Sequence, residues 1–203
     1  MAAAAEISGE FRDGFPFVGG AAWLDLLNTT PAGETGPQEL IDGPERALAW
    51  LKEAGLGDAA GDGKEALADL RTLRAELRAV FERLEAGEPL PDATLASVNR
   101  RLAGLGGHHV LQRADSGPTL ALALDRAGAG PAALIALDFA RFVCEAEPAR
   151  LKRCAADHCT LVFYDRGRNN TRRWCTMSVC GNRDKVARFR ARRATRDPGI
   201  RSG

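Results

Sequence analysis

The sequence predicts an α+β protein in two parts. A mainly helical N-terminal domain with one β-hairpin spans residues 14–147, and a small cysteine-rich module at 150–196 ends in a basic helix. Three observations carry this. Apolar residues recur at helical spacing over most of residues 21–145. A single stretch, His109 to Leu124, switches to period two. Four of the five cysteines, Cys154, Cys159, Cys175 and Cys180, form two matched pairs near the C-terminal end.

The first 13 residues read as a loose leader, and Phe15-Pro16-Phe17-Val18 as a short strand broken by Gly19-Gly20. Ala21 to Leu27 reads as a helix with Trp23, Leu26 and Leu27 on its apolar side. Asp25 and Asn28 could line a small-molecule pocket, although a cap or a buried hydrogen bond accounts for each. A helix from Glu45 to Ala54 has Pro44 in its first turn, Asp42 or Gly43 as cap and Gly55 as stop. After a Gly57–Gly63 link, the longest helix runs from Lys64 to Ala86. Its stripe is Leu67, Leu70, Leu73, Leu77, Val80, Phe81 and Leu84, and Arg71, Arg74 and Arg78 are assigned to solvated faces. Asp92 caps the next helix, which stops at Gly104. Strands at 109–113 and 120–124 turn through Ala114-Asp115-Ser116-Gly117-Pro118. Gly130-Pro131 opens an apolar helix over Ala132–Glu145, on which Cys144 is read as core.

Net charge over the 203 residues is only +1, but it is unevenly spread. Residues 1–149 hold 13 Lys+Arg and 23 Asp+Glu, a net of −10; residues 150–203 hold 15 and 4, a net of +11. An acidic body thus carries a basic, Arg-rich hand suited to phosphate. No targeting segment is read at Met1-Ala2-Ala3, and no run approaches the roughly 20 apolar residues of a membrane span. Reduced thiols then place the protein in the cytoplasm. No P-loop, dinucleotide fingerprint or nucleophile elbow is present. His108 and His109 alternate across a strand rather than converging. The expectation is therefore a protein that is not an enzyme.

Each cysteine pair has four residues between its members, and the pairs lie either side of a basic, aromatic loop. Two such knuckles match structural zinc arithmetic, four thiolates closing a tetrahedral site. A disulfide framework would need an oxidising compartment, and a redox dithiol would favour a two-residue gap. Spacing alone leaves these and buried thiols open. His158 is read as a bystander, because Cys159 completes the pair. Leu161-Val162-Phe163 reads as a strand packed on the site, and a helix follows from Arg183 to Arg196. On it Lys185, Arg188, Arg192 and Arg196 share a face, with Val186 and Phe189 turned towards the module. Asn182 and Arg183 stand at the helix start, where side chains meet base edges. Arg166, Arg168, Arg172 and Arg173 flank the site from the loop. Trp174 reads as core packing or base stacking.

The tetrapeptide Cys180-Gly181-Asn182-Arg183, with Tyr164-Asp165, Arg172-Arg173-Trp174-Cys175 and Met177, closely resembles the CGNR zinc-finger family. Phe15-x-Phe17, Leu24-Asp25-Leu26-x-Asn28-Thr29, Pro44 to Leu51 and Leu70-Arg71-x-Leu73-Arg74 resemble the ABATE domain that precedes this finger. The resemblance implies a bacterial transcription regulator with one structural zinc ion on Cys154, Cys159, Cys175 and Cys180. DNA contacts are expected from Arg168, Arg172, Arg173, Asn182, Arg183, Lys185, Arg188 and Arg192. DNA rather than RNA rests on the resemblance. The N-terminal domain is expected to bind a small-molecule effector or to dimerise. The competing expectation is a zinc-stabilised adaptor whose basic surface binds a protein partner or its own acidic domain.

Overall fold

A computed structural model of the chain describes residues 10–59, 61–114, 117–126 and 128–196; the side chains of 114, 191 and 193–196 are outside it. The Arg196 side chain and the Asp115-Ser116 turn therefore lie outside the description. The architecture is α+β, with helices enclosing one core and three small antiparallel hairpins at its margins. No helix among the described residues is long and apolar enough to cross a membrane.

Structure begins earlier than the expected leader allows. Strands β1 (Phe11–Arg12) and β2 (Phe15–Pro16) pair through Asp13-Gly14, whose φ values are 46° and 79°. Positive φ at both central residues defines the hairpin turn that Asp-Gly favours. Helix α1 (Ala22–Leu27) is short and buries Trp23, Leu24, Leu26 and Leu27. Its first turn is capped from outside, by the Asp138 carboxylate accepting from Trp23 N at 3.1 Å. Helix α2 (Pro44–Glu53) starts on Gly43 without a side-chain cap, so Asp42 does not serve.

Helix α3 (Gly63–Glu85) is capped by Asp62, which accepts from Lys64 N at 2.6 Å. It buries Leu70, Leu73, Leu77, Val80 and Phe81. It also buries Arg74, 8% exposed, which corrects the assignment of that residue to a solvated face. The Arg74 guanidinium bonds Thr29 Oγ1 at 2.6 Å and both carboxylate oxygens of Glu39, which lets it enter the core. Helix α4 (Asp92–Leu102) has Pro91 at the cap position, one residue before the expected Asp92.

Strands β3 (Gly107–Ala114) and β4 (Gly117–Leu124) form an eight-rung ribbon, longer than the alternation alone suggests. Leu111, Leu120 and Leu122 are exposed on one side of it. Helix α5 (Pro131–Glu145) packs Phe139 and Phe142 edge-on against Trp23, with centroids at 5.3 and 5.2 Å. Cys144 is exposed rather than core. It lies on the side of α5 away from Ile135 and Phe139, a distinction that overall apolarity of the helix conceals.

The last part is not a free appendage. Strands β5 (Leu151–Arg153) and β6 (Val162–Tyr164) pair antiparallel, and Leu151 and Val162 join the same core as α1 and α3. Asn28, 1% exposed, fits its amide to the edge of β6: Nδ2 donates to Val162 O at 3.0 Å, and Oδ1 accepts from Val162 N at 2.9 Å. A side chain thus completes a strand's hydrogen bonding.

Candidate metal centre and nucleic-acid interface

The β5–β6 hairpin carries the first cysteine knuckle. Cys154 N donates to Leu161 O at 2.9 Å and Cys159 N to Ala156 O at 2.9 Å, closing the loop between them. The second pair is set by Thr176, whose Oγ1 accepts from Val179 N at 3.1 Å and starts a wide turn over Met177–Gly181. Cys180 lies in that turn, which runs directly into α6 (Asn182–Arg196). At Gly181 a β-carbon would come within 2.8 Å of the sulfur of Met177, a half-exposed side chain that can swing aside.

The four sulfurs lie within 4.8 Å of one another. Cys159 to Cys175 is 3.8 Å and Cys175 to Cys180 is 3.5 Å. A tetrahedron of sulfurs around zinc, at about 2.3 Å each, has edges of about 3.8 Å. The Cys175 amide also donates to Cys154 Sγ at 3.3 Å, a bond that favours thiolate. His158 is exposed and stands outside this group.

The electrostatics also call for a cation. The hydrogen bond between the Cys159 and Cys175 sulfurs lowers the Cys159 pKa to about 5, so one thiolate is easily held. That hydrogen bond in turn keeps the proton on Cys175, and burial raises Cys180 to about 12. Without a central positive charge the cluster resists further ionisation, and a divalent ion removes that resistance. The donor set, spacing and geometry therefore fit zinc.

The basic residues divide into two kinds. Arg168, Arg173, Asn182, Arg183, Lys185, Arg188 and Arg192 are exposed. Asn182 Nδ2 donates to Ser178 O at 3.0 Å, tying the start of α6 to the cysteine turn. Arg188 pairs with Asp184 one turn back. Arg173 and Arg188 both lie over the Trp174 ring, at 5.1 and 5.9 Å from its centroid. Trp174 itself is half-buried against the cysteine cluster. Arg172 departs from expectation. Its guanidinium donates to Trp174 O at 3.1 Å, Val18 O at 3.1 Å and Cys175 O, and it sits 4.1 Å over the Phe163 ring. It is turned inward and stitches the second knuckle to the N-terminal part. Val186 and Phe189, expected to pack on the module, are 48% and 60% exposed, because α6 runs out beyond the small cysteine cluster.

Asp165 is the residue whose role spacing did not reveal. Nearly fully buried, it accepts from Gly167 N and Arg172 N, each at 2.8 Å, and from Lys152 Nζ at 3.4 Å. Burial would push its carboxyl up, yet these donors hold it below the usual carboxylate range. Asp25 is a second buried acid, accepting from Gly19 N at 2.7 Å. Burial raises its pKa to about 7. Asp25 and Asn28 thus serve buried hydrogen bonds.

Comparison with known families agrees with this construction. The family described as "CGNR zinc finger" matches residues 150–193. The family described as "ABATE: Putative stress-induced transcription regulator" matches residues 20–146. The chain belongs to the ABATE family. It carries a CGNR zinc finger behind the ABATE domain, in the order the sequence motifs imply. A search of the curated proteins finds no match. In the CGNR finger the naming tetrapeptide has divided roles: Cys180 faces the sulfur cluster, Gly181 packs on Met177, Asn182 fastens α6, and Arg183 is exposed.

Proposed function

We propose that this ABATE–CGNR protein is a zinc-containing, DNA-binding transcription regulator of the bacterial cytoplasm. One zinc ion would be held by Cys154, Cys159, Cys175 and Cys180 as a structural, closed site. Zinc would supply a rigid link between the two knuckles, with no open coordination position for catalysis. The observation that carries the reading is the direct passage from an all-sulfur cluster into α6, whose cationic residues Arg183, Lys185 and Arg188 face solvent. Arg168, Arg173, Lys185, Arg188 and Arg192 would contact phosphates, and Asn182 and Arg183 the base edges. Arg172 would act behind that surface by fixing the knuckle. The N-terminal domain would sense a small ligand or dimerise.

The adaptor reading has one observation in its favour: Val186 and Phe189 are exposed beside the basic residues, and apolar surface of this kind suits a protein partner. Docking of the basic surface on the chain's own acidic domain has less support, since Arg183, Lys185 and Arg188 remain exposed here.

The test is binding of duplex DNA by the metal-loaded full chain as salt is raised. Five phosphate contacts give a slope of about −4.5 in log affinity against log salt. Arg188→Ala should make that slope shallower by about 1. Absence of salt-dependent binding by the metal-loaded protein would favour the adaptor.

A further inference from the structure

A groove on α3, far from the expected DNA surface in sequence, has its own chemistry. Arg71, Arg74 and Arg78 stand three and four residues apart and so share one face of the helix. Opposite them the chain doubles back, with Gly33 N donating to Gly36 O at 2.7 Å and Gln38 N to Pro31 O at 2.8 Å. Ala32 N donates to Thr160 Oγ1 at 2.8 Å, so this turn is fastened to the residue after Cys159. Between helix and turn lies a cavity of about 540 Å³, lined by Arg71, Arg74, Arg78, Thr30, Thr160 and small residues including Ala75, with a mostly apolar wall. That volume falls within the usual range of small-molecule sites.

The charges in this groove do not balance. Glu39 is bonded through both oxygens to Arg74 and lies 3.9 Å from Arg71. Arg71 also donates to Ile41 O at 3.0 Å. Arg78 bonds neutral acceptors, Leu27 O at 2.7 Å and Thr30 Oγ1 at 2.6 Å. Burial, then repulsion from Arg74 and Arg153, lowers its pKa, with only Glu82 opposing. Only Glu39 is therefore bonded to these three guanidiniums, with Glu82 acting on Arg78 without a bond, in a half-enclosed, mostly apolar space. Such a site gains from a further anion, and guanidinium forks match planar and tetrahedral oxyanions.

We propose that this groove binds a small oxyanion ligand, a carboxylate or phosphate on a compact and partly apolar molecule, through Arg71 and Arg78. Arg74, locked on Glu39, forms the fixed floor. Thr160 supplies a hydroxyl from the opposite side. The site gives a chemical class to the effector of the N-terminal domain, and its regulatory meaning rests on the function proposed above; the binding itself does not. A ligand here would touch both α3 and the turn that Thr160 ties to the finger.

The experiment is calorimetric titration of the metal-loaded full chain with inorganic phosphate and, separately, benzoate, at constant ionic strength in chloride. Saturable binding of one per chain is expected for at least one probe. The tighter probe tells a phosphorylated ligand from a carboxylic acid. Arg78→Gln should weaken it about tenfold or more. Because Arg78 also bonds Leu27 and Thr30, a second variant guards against a loss of fold. Ala75→Glu, at an exposed helical position, sets a carboxylate within one turn of both Arg71 and Arg78. It should abolish anion binding while leaving the melting temperature unchanged or higher. No saturable binding of either probe, or equal binding by Ala75→Glu, overturns the proposal. No DNA enters the titration, so its failure leaves the regulator reading standing, and failure of DNA binding leaves the groove.

Discussion

Replacing Asn28 by Ala removes a side chain that acts as a piece of backbone. Its two bonds to Val162, at 3.0 and 2.9 Å, lie where Asn28 is 1% and Val162 3% exposed. The truncation strands one buried donor and one buried acceptor on β6, at about 1–3 kcal/mol each. The expected loss is about 4 kcal/mol, which at this chain length lowers the melting temperature by roughly 10 °C. Asn28→Asp should cost at least as much at neutral pH, since it turns an acceptor towards the Val162 carbonyl and brings a charge into the core. Urea unfolding of the metal-loaded protein, followed by Trp fluorescence, gives the free energies. Repeating it after chelation adds a second check. The penalty should shrink there, because loosening the finger loosens the strand edge that Asn28 serves. A loss below about 1 kcal/mol in the metal-loaded protein, or an Asp variant as stable as wild type, would refute the idea that this amide joins the two parts.

The remaining predictions concern the acids, the inward arginine and the metal. Asp25, raised to about 7, keeps in the folded state a proton that the unfolded chain releases near pH 4. Stability should therefore fall as pH rises from about 4 to about 7, by up to about 4 kcal/mol. Asp25→Asn, which retains an acceptor for Gly19 N, should flatten that slope in urea titrations, leaving a residue of the same sign from Asp138, whose carboxyl burial also raises. Arg172→Ala should lower the melting temperature of the metal-loaded protein by several degrees, whereas Arg173→Ala should leave it within about 1 °C and change only ligand binding. Mass spectrometry of the intact metal complex should find one zinc per chain, and Cys175→Ser should abolish it while helical circular dichroism from the N-terminal part persists.

Much of this molecule was legible because its signals are local. The apolar stripe of α3, Pro44 at the start of α2 and the paired knuckles all follow from spacing. What was missed depends on partners far away in sequence. Arg74 reads as solvated until Glu39 and Thr29 are seen to receive it. Arg172 reads as one more basic residue until Val18, Trp174 and Cys175 offer it carbonyls. Asn28 has no sequence mark that points to Val162. Val186 and Phe189 have helical spacing yet stay largely exposed, because the cysteine cluster is small. The Asp13-Gly14 turn was readable from the dipeptide, but two-residue strands give no alternation to support it.

The buried carboxylate of Asp165 has a consequence for metal scarcity. The loop from Gly167 to Arg172 is gathered on that carboxylate, and Arg150 adds a bond to Gly167 O at 2.8 Å. None of these bonds passes through sulfur. The start of α6, by contrast, follows directly from Cys180, and Asn182 fastens it back to Met177, Ser178 and Val179 of that same turn. The cationic surface thus has two moorings, one a carboxylate and the other the sulfur cluster. With zinc on those sulfurs, as proposed, loss of the metal would free the helix and leave the loop in place. The positive face would then be lost in part before the fold failed.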